Sequence, residues 1–191
     1  ATGVYKAREI ELSGNKLNNI FPAMEFLTAS NRKGLGDQVD LFENGTLNAE
    51  GKDVVVIGGG DTAMDCVRTA IRQNAKSVKC LYRRDKENMP GSAREVSNAE
   101  EEGIEFVWLS SPKEFLGKEN IESIKVNKIK LGEPDESGRR KPEIQNNSEF
   151  ILKSDMVIKA LGFDPENLPK LFGCNELKVS KWGTIKTDFY T

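Results

Sequence analysis

Residues 54–65 read VVVIGGGDTAMD, from Val54 to Asp65. Four apolar residues run straight into three glycines, and apolar residues at helical spacing follow. VVVIG (54–58) is short, β-branched and unbroken, the texture of a strand covered on both faces. In TAMDCVRTAIRQN, Ala63, Val67, Ala70 and Ile71 fall on one face of a helix. A surface turn between two such elements needs one glycine or two. Three imply that something comes close to this backbone.

Gly58 to Ala63 fit the pattern G-x-G-x-x-A. The first glycine permits a tight turn out of the strand, and the second lets a pyrophosphate approach the main chain. The small sixth residue lets the helix pack against the strand. Amides from about Gly60 to Thr62 then face the phosphates, aided by the positive end of the helix dipole. The glycines are read as room for phosphate. Gly58, Gly59, Gly60, Asp61, Thr62 and Ala63 are candidate cofactor-binding residues. A P-loop is excluded here because no GK[ST] follows.

SVKCLYR reads as the next strand, with Val78, Cys80 and Tyr82 alternating, and it ends in Tyr82-Arg83-Arg84. An NAD or FAD site usually offers an acid to the ribose hydroxyls at this point. Guanidinium forks instead suit a 2′-phosphate and cannot accept from a hydroxyl. The pattern favours NADP(H), with Arg83 and Arg84 as its ligands, although Asp85 would reach a ribose if the strand ended later. Tyr82 and Lys86 match a Y-x-x-x-K spacing, but at a strand end rather than on a distant helix, and carry no catalytic assignment.

MPGSAREVSNAEEEG follows, with Ser92 and Glu95 spaced as a capping box and Gly103 placed to close the helix. IEFVWL (104–109) is a further strand, so strand and helix alternate from 54 to 109. That is the order of a parallel sheet with right-handed crossovers. The texture then changes: KEFLG, IESIKVNKIKL and EFILK alternate apolar and polar residues, as an antiparallel meander does. The charge run at 133–143 reads as a solvated loop tip, and DMVIKALGF (155–163) returns to a buried strand. Upstream, IFPAMEFLTASNR places Phe21, Met24, Phe26 and Leu27 on a short amphipathic helix, and residues 31–51 read as loop. The expected fold is α/β: a Rossmann-like three-layer nucleotide-binding domain. Its parallel sheet is built on 54–58, 77–82, 104–109 and 155–160, with an antiparallel β-meander over 113–152 as a crossover covering one side.

Composition narrows the chemistry. The 191 residues are 37% hydrophobic and 30% charged, with a net charge of -2 and both signs interspersed. No nucleic-acid or membrane partner is advertised, and no apolar run approaches the roughly 20 residues that span a bilayer. The chain has no histidine, which excludes histidine-based nucleophilic triads and His-ligated metals within it. Cys66, Cys80 and Cys174 are far apart with no CxxC pair, which suits a reducing, cytoplasmic setting without a disulfide framework, dithiol or metal cluster.

With these residues in place, the chain resembles the small subunit of NADPH-dependent glutamate synthase. The resemblance runs almost throughout GKDVVVIGGGDTAMDCVRTAIRQNAKSVKCLYRRDKENMPGSAREVSNAEEEGIEF and returns in GEPDESGRRKPEI and DMVIKALGF. Dihydropyrimidine dehydrogenase and ferredoxin:NADP oxidoreductase have similar cores. The resemblance implies a pyridine-nucleotide domain inserted into an FAD domain, in a polypeptide that also carries iron–sulfur clusters and pairs with a large glutamate synthase subunit. NADPH would pass a hydride to FAD, for glutamate formation from glutamine and 2-oxoglutarate. Ala1-Thr2-Gly3 matches a segment leading out of the FAD domain. Residues 1–50 are then a lead-in and linker, 51–175 the NADP(H)-binding domain, and 176–191 an exit segment. By position, Ala160 and Gly162 would line the nicotinamide side, while Asp65 matches an acidic position without a physical role. This chain is expected to hold no catalytic residue and to be inactive alone. The alternatives are a non-catalytic, redox-sensing dinucleotide module, or the same domain of a related ferredoxin:NADP oxidoreductase.

Overall fold

The structure is a computed structural model that describes residues 4, 6–134, 140–180 and 182–187. The Ala1-Thr2-Gly3 match and part of the 133–143 charge run lie outside the described residues. In chain order the elements are β1 (Lys6–Ala7), β2 (Ile20–Pro22), α1 (Ala23–Gly34), α2 (Asp40–Glu43), β3 (Asp53–Ile57), α3 (Asp61–Arg72), β4 (Ser77–Leu81) and α4 (Ala93–Glu101). They continue with β5 (Glu105–Val107), β6 (Ser110–Gly117), β7 (Ile121–Pro134), β8 (Arg140–Ile144), β9 (Phe150–Lys153), β10 (Met156–Lys159), β11 (Phe163–Asp164) and α5 (Leu168–Leu171). Two compact units result: Ile10–Leu161, and Ala1–Glu9 with Gly162–Thr191.

The larger unit is built on a five-stranded sheet in the order β2-β10-β3-β4-β5, parallel throughout. Every residue of β3 is buried, as an unbroken apolar strand requires when both of its faces are covered. Val54 and Val56 pack with Ala63, Val67 and Ala70 of α3, Phe26 of α1 and Val96 of α4. Val55 and Ile57 point the other way, joining Leu81 and Val157 against Phe115, Ile121, Ile124 and Val126 of the meander. Period-two alternation along one strand thus serves two cores, and each fully buried valine contributes about 1.5–3 kcal/mol. Helices, parallel sheet and antiparallel sheet form the three layers expected from the sequence.

The meander is a four-stranded antiparallel sheet in which β6, β8 and β9 all pair with β7. It leaves the parallel sheet at Leu109, whose φ of +50° reverses the chain between β5 and β6. Two expectations are corrected here. The run at 133–143 is not only a loop tip, because β7 reaches Pro134 and Arg140–Ile144 form β8. None of the β8 residues is buried, so the strand carries no apolar alternation to betray it. Upstream, Ile20 and Phe21 belong to the edge strand β2 rather than to a helix, and Met24 is exposed. Pro22 makes the break: its fixed φ of -64° and missing N–H end the strand and seat it as the N-cap of α1.

At the N-terminal end of the sheet the polar groups of Asp53 are paired. Asp53, 7% exposed, accepts from Ser77 Oγ at 2.7 Å and from Lys153 Nζ at 2.8 Å, with Lys76 Nζ at 3.2 Å. Its backbone N–H donates to Asp155 at 2.9 Å, and its carbonyl accepts from the Asp155 N–H at 2.7 Å. The hydrogen bond from Lys153, then that from Ser77, holds the Asp53 carboxyl down at about 2.

In the smaller unit β1 and β11 form an antiparallel pair, Lys6 opposite Asp164, with Arg8 bonded to Asp164 at 2.8 Å. Among the described residues no helix is long and apolar enough to cross a membrane.

Candidate nucleotide site

Gly58, Tyr82 and Ala160 directly follow the C-terminal ends of β3, β4 and β10, the edge where open α/β sheets bind ligands. The glycines there do different work. Gly58 has a φ of +150°, and a Cβ on it would lie 2.2 Å from the Ala160 carbonyl oxygen. A Cβ on Gly59 would lie 2.4 Å from the Tyr82 ring. Only Gly60 opens onto free space, with nothing within 4 Å of the same position. The sequence reading gave Gly58 the tight turn and took the three glycines together as room for phosphate. The structure sets Gly58 against Ala160 at the end of its parallel neighbour β10 and Gly59 on an aromatic floor, which leaves Gly60 facing outward. That floor is Tyr82 edge-on to Trp108 at 6.4 Å, with Trp108 stacked on Phe106 at 4.6 Å.

Gly60 is also the N-cap of α3 and accepts from the Ala63 and Met64 amides at 2.9 and 3.2 Å. The N–H groups of Gly59, Gly60, Asp61 and Thr62 have no acceptor among the described residues. Such unpaired amides at a helix start, with the positive end of the dipole behind them, form a receptor for an anion. Ala63 and Met64 are fully buried beneath the turn, so the first turn of α3 sits tightly on β3. Cys80 steadies the turn from behind, its thiol donating to the Gly58 carbonyl at 3.3 Å. Burial pushes that thiol up to about 12 and raises Cys66 as well, so neither is a nucleophile at neutral pH. Cys174 is an exposed free thiol of the smaller unit.

The two arginines at the end of β4 part company. Arg83 is exposed and has no hydrogen bond or ion pair among the described residues. Arg84 is 8% exposed, and its Nε donates to the Arg140 carbonyl of β8 at 3.0 Å. It fastens the meander to the strand end. β8 is the partner that the sequence did not reveal, which is why the two residues read alike. Asp85 is occupied locally, its carboxylate accepting from the Asn88 backbone and side chain at 3.0 and 2.6 Å.

The loop after β4 is tied to the glycine turn. The Gly91 N–H donates to the Gly59 carbonyl at 2.9 Å, and the Ser92 N–H donates to Asp61 Oδ1 at 2.8 Å. The capping box expected of Ser92 and Glu95 is therefore absent. Ser92 is the N-cap of α4, but its amide bonds to Asp61, and Glu95 pairs with Arg68, which also holds Glu102 at 2.8 Å. Gly103 does close α4 as expected, with a φ of +89°, while the Ile104 N–H reaches back to the Ala99 carbonyl at 3.1 Å. Of the residues singled out by sequence, Gly58 to Ala63, Arg83, Arg84 and Ala160 share this sheet edge. Gly162 opens the smaller unit, where its carbonyl accepts from the Arg8 amide at 3.0 Å.

An open glycine, a row of free amides and an unpaired guanidinium fit the phosphates of a dinucleotide. The family model for pyridine nucleotide-disulphide oxidoreductases matches residues 1–191. The chain belongs to that family. Among curated relatives it is 58% identical to the glutamate synthase [NADPH] small chain of Azospirillum brasilense over 191 residues, covering 100% of this chain and 40% of the relative. The glutamate synthase [NADPH] small chain of Halomonas elongata is 47% identical over 184 residues, covering 96% of this chain and 38% of the relative. The chain thus spans less than half the length of these relatives. Among solved structures, Mycobacterium tuberculosis FprA in complex with NADPH superposes with a TM-score of 0.70 at 17% identity, covering 88% of this chain and 50% of FprA. That likeness concerns the fold.

Proposed function

We propose that this chain is the NADPH-binding domain of a flavoprotein oxidoreductase, and that the whole protein is a glutamate synthase small chain. The observation that carries the binding role is the sheet edge itself: free amides at Gly59 to Thr62, open space at Gly60 and an unpaired guanidinium at Arg83. In this reading the amides of the α3 first turn hold the pyrophosphate. Arg83 takes the 2′-phosphate, Arg84 braces the strand end from below, and Ala160 borders the nicotinamide half. The bound nicotinamide supplies a hydride, and FAD in a neighbouring domain of the same polypeptide receives it. Electrons then pass through iron–sulfur clusters to a large subunit that forms glutamate from glutamine and 2-oxoglutarate. Residues 10–161, which carry the parallel sheet and the meander, are assigned to the nucleotide domain, and 1–9 with 162–191 to the connections with the FAD domain. The identities to two NADPH glutamate synthase small chains support the assignment, and free buried thiols suit a cytoplasmic setting.

Calorimetric titration tests the site. A charge-assisted hydrogen bond contributes roughly 1.5–3 kcal/mol, so Arg83→Ala is expected to weaken NADPH about tenfold to a hundredfold. NADH affinity should stay within about twofold, since NADH lacks the group that Arg83 meets. Equal losses for the two nucleotides would reject the assignment of Arg83.

A further inference from the structure

Asp61 places a carboxylate on the first residue of α3, beside the amides that would meet a pyrophosphate. A negative charge there suits the helix dipole but opposes a phosphate ligand. Its oxygen is nonetheless engaged, with Oδ1 accepting the Ser92 N–H at 2.8 Å. One residue earlier the Gly91 N–H bonds to the Gly59 carbonyl at 2.9 Å. Two adjacent amides at the start of α4 are thus latched to two residues of the glycine turn. In an ordinary capping box the N3 glutamate would accept the N-cap amide. Here Asp61 does so from another helix, which frees Glu95 to pair with Arg68 and draws the start of α4 onto the turn.

Arg94 rides on that first turn of α4, exposed and without a hydrogen bond or ion pair among the described residues. The neighbouring cations are committed: Arg84 bonds to Arg140, and Lys86 pairs with Glu100 at 2.7 Å. Arg83 at the end of β4 and Arg94 at the start of α4 are therefore the free guanidinium groups flanking the β4–α4 loop. A phosphate monoester carries nearly two charges and three acceptor oxygens, more than one guanidinium fork satisfies. We propose that Arg94 is a second specificity-determining residue, joining Arg83 on the 2′-phosphate of NADPH, and that Asp61 is the positioning residue that holds it there through Ser92. This rests on the nucleotide reading of the site and adds to it a residue and a device.

Titration of NADPH and NADH into the chain and its variants tests the proposal. Arg94→Ala should weaken NADPH about tenfold and leave NADH within about twofold. Asp61→Ala should lower the preference for NADPH over NADH about fivefold, and hydrogen exchange at the Ser92 amide should speed up. Asp61→Asn keeps an oxygen for that amide and should retain the preference, whatever its removed charge does to both affinities. Ser92→Pro deletes the donor at a φ of -57° that proline already suits, and should reproduce Asp61→Ala. Combining Asp61→Ala with Arg94→Ala should cost no preference beyond Arg94→Ala alone. Equal losses for both nucleotides in Arg94→Ala, or no loss, would overturn the role of Arg94. An unchanged preference in both Asp61→Ala and Ser92→Pro would overturn the latch. If Arg83→Ala also leaves the preference unchanged, the nucleotide reading itself falls. If Arg83→Ala lowers it and Arg94→Ala does not, only the present proposal falls.

Discussion

The two ends of the parallel sheet use the same materials, main-chain amides and charged side chains, in opposite ways. At the N-terminal end Asp53 accepts from Ser77, Lys76 and Lys153, and its backbone is paired with Asp155 on both sides. At the C-terminal end the amides of Gly59 to Thr62 and the guanidinium of Arg83 have no partner among the described residues. Gly59 is buried, but Gly60 to Thr62 and Arg83 reach the surface, where unpaired polar groups cost the fold little because water satisfies them. They remain available to a ligand, as groups already bonded within the protein do not. The closed end contributes stability, and in the proposed reading the open end is the one that binds. Substitutions at the two ends should therefore move different measurements.

Gly58 lies on the open end yet should behave like the closed one. Alanine there needs a positive φ and brings its Cβ to 2.2 Å from the Ala160 carbonyl oxygen, a backbone atom that cannot swing aside. Strain of about 1–3 kcal/mol and overpacking of about 1–3 kcal/mol together predict a loss of about 2–6 kcal/mol. Urea denaturation of Gly58→Ala measures it. A loss under about 1 kcal/mol would show that the contact between Gly58 and the end of β10 yields more easily than the geometry implies.

Asp53 gives the next largest effect and a pH signature. Its carboxyl is lowered from 3.8 to about 2 in the folded chain, chiefly by the Lys153 hydrogen bond. A lowered acid stabilises the fold above its unfolded pKa, and that contribution fades as pH falls through the folded value. Both lysines are more than half exposed, so solvent screens part of the gain, and about 1–2 kcal/mol remains. Asp53→Asn should cost that much at pH 7 and nothing below about pH 2, with the difference shrinking between about pH 4 and 2. Parallel denaturation curves for the two proteins across that range would show that the clamp does not depend on charge.

The contrast also marks what the sequence could disclose. VVVIG showed the buried central strand because both of its faces are apolar, and the meander strands β6, β7 and β9 showed an apolar alternation. Ile20–Pro22 was hidden, since an edge strand of three residues is too short to show a period and runs directly into α1. β8 was hidden because it buries nothing. At the site, a motif fixes spacing but not partners. Arg83 and Arg84 are indistinguishable until β8 supplies the carbonyl that takes Arg84, and Ser92 with Glu95 spells a capping box until Asp61 takes its amide. The Asp61 contact joins residues 31 apart, and no local pattern announces it.

The smallest effect on the fold is expected at Gly60, and it separates the two ends most cleanly. Its φ of -93° and ψ of 178° are open to any residue, and a Cβ there meets nothing within 4 Å. Alanine also restricts the unfolded chain, which in compatible positions stabilises by about 0.4–1 kcal/mol. Gly60→Ala should therefore fold with unchanged or slightly higher stability. The new methyl nonetheless projects into the space beside the α3 amides that a pyrophosphate would fill. NADPH and NADH should both weaken by about tenfold or more, because the pyrophosphate is common to them. Arg83→Ala, by contrast, should spare NADH. Denaturation and titration of one sample decide the matter. A Gly60→Ala chain that keeps both its stability and its nucleotide affinities would show that the phosphates do not approach the main chain at this glycine, and the open end of the sheet would need another occupant.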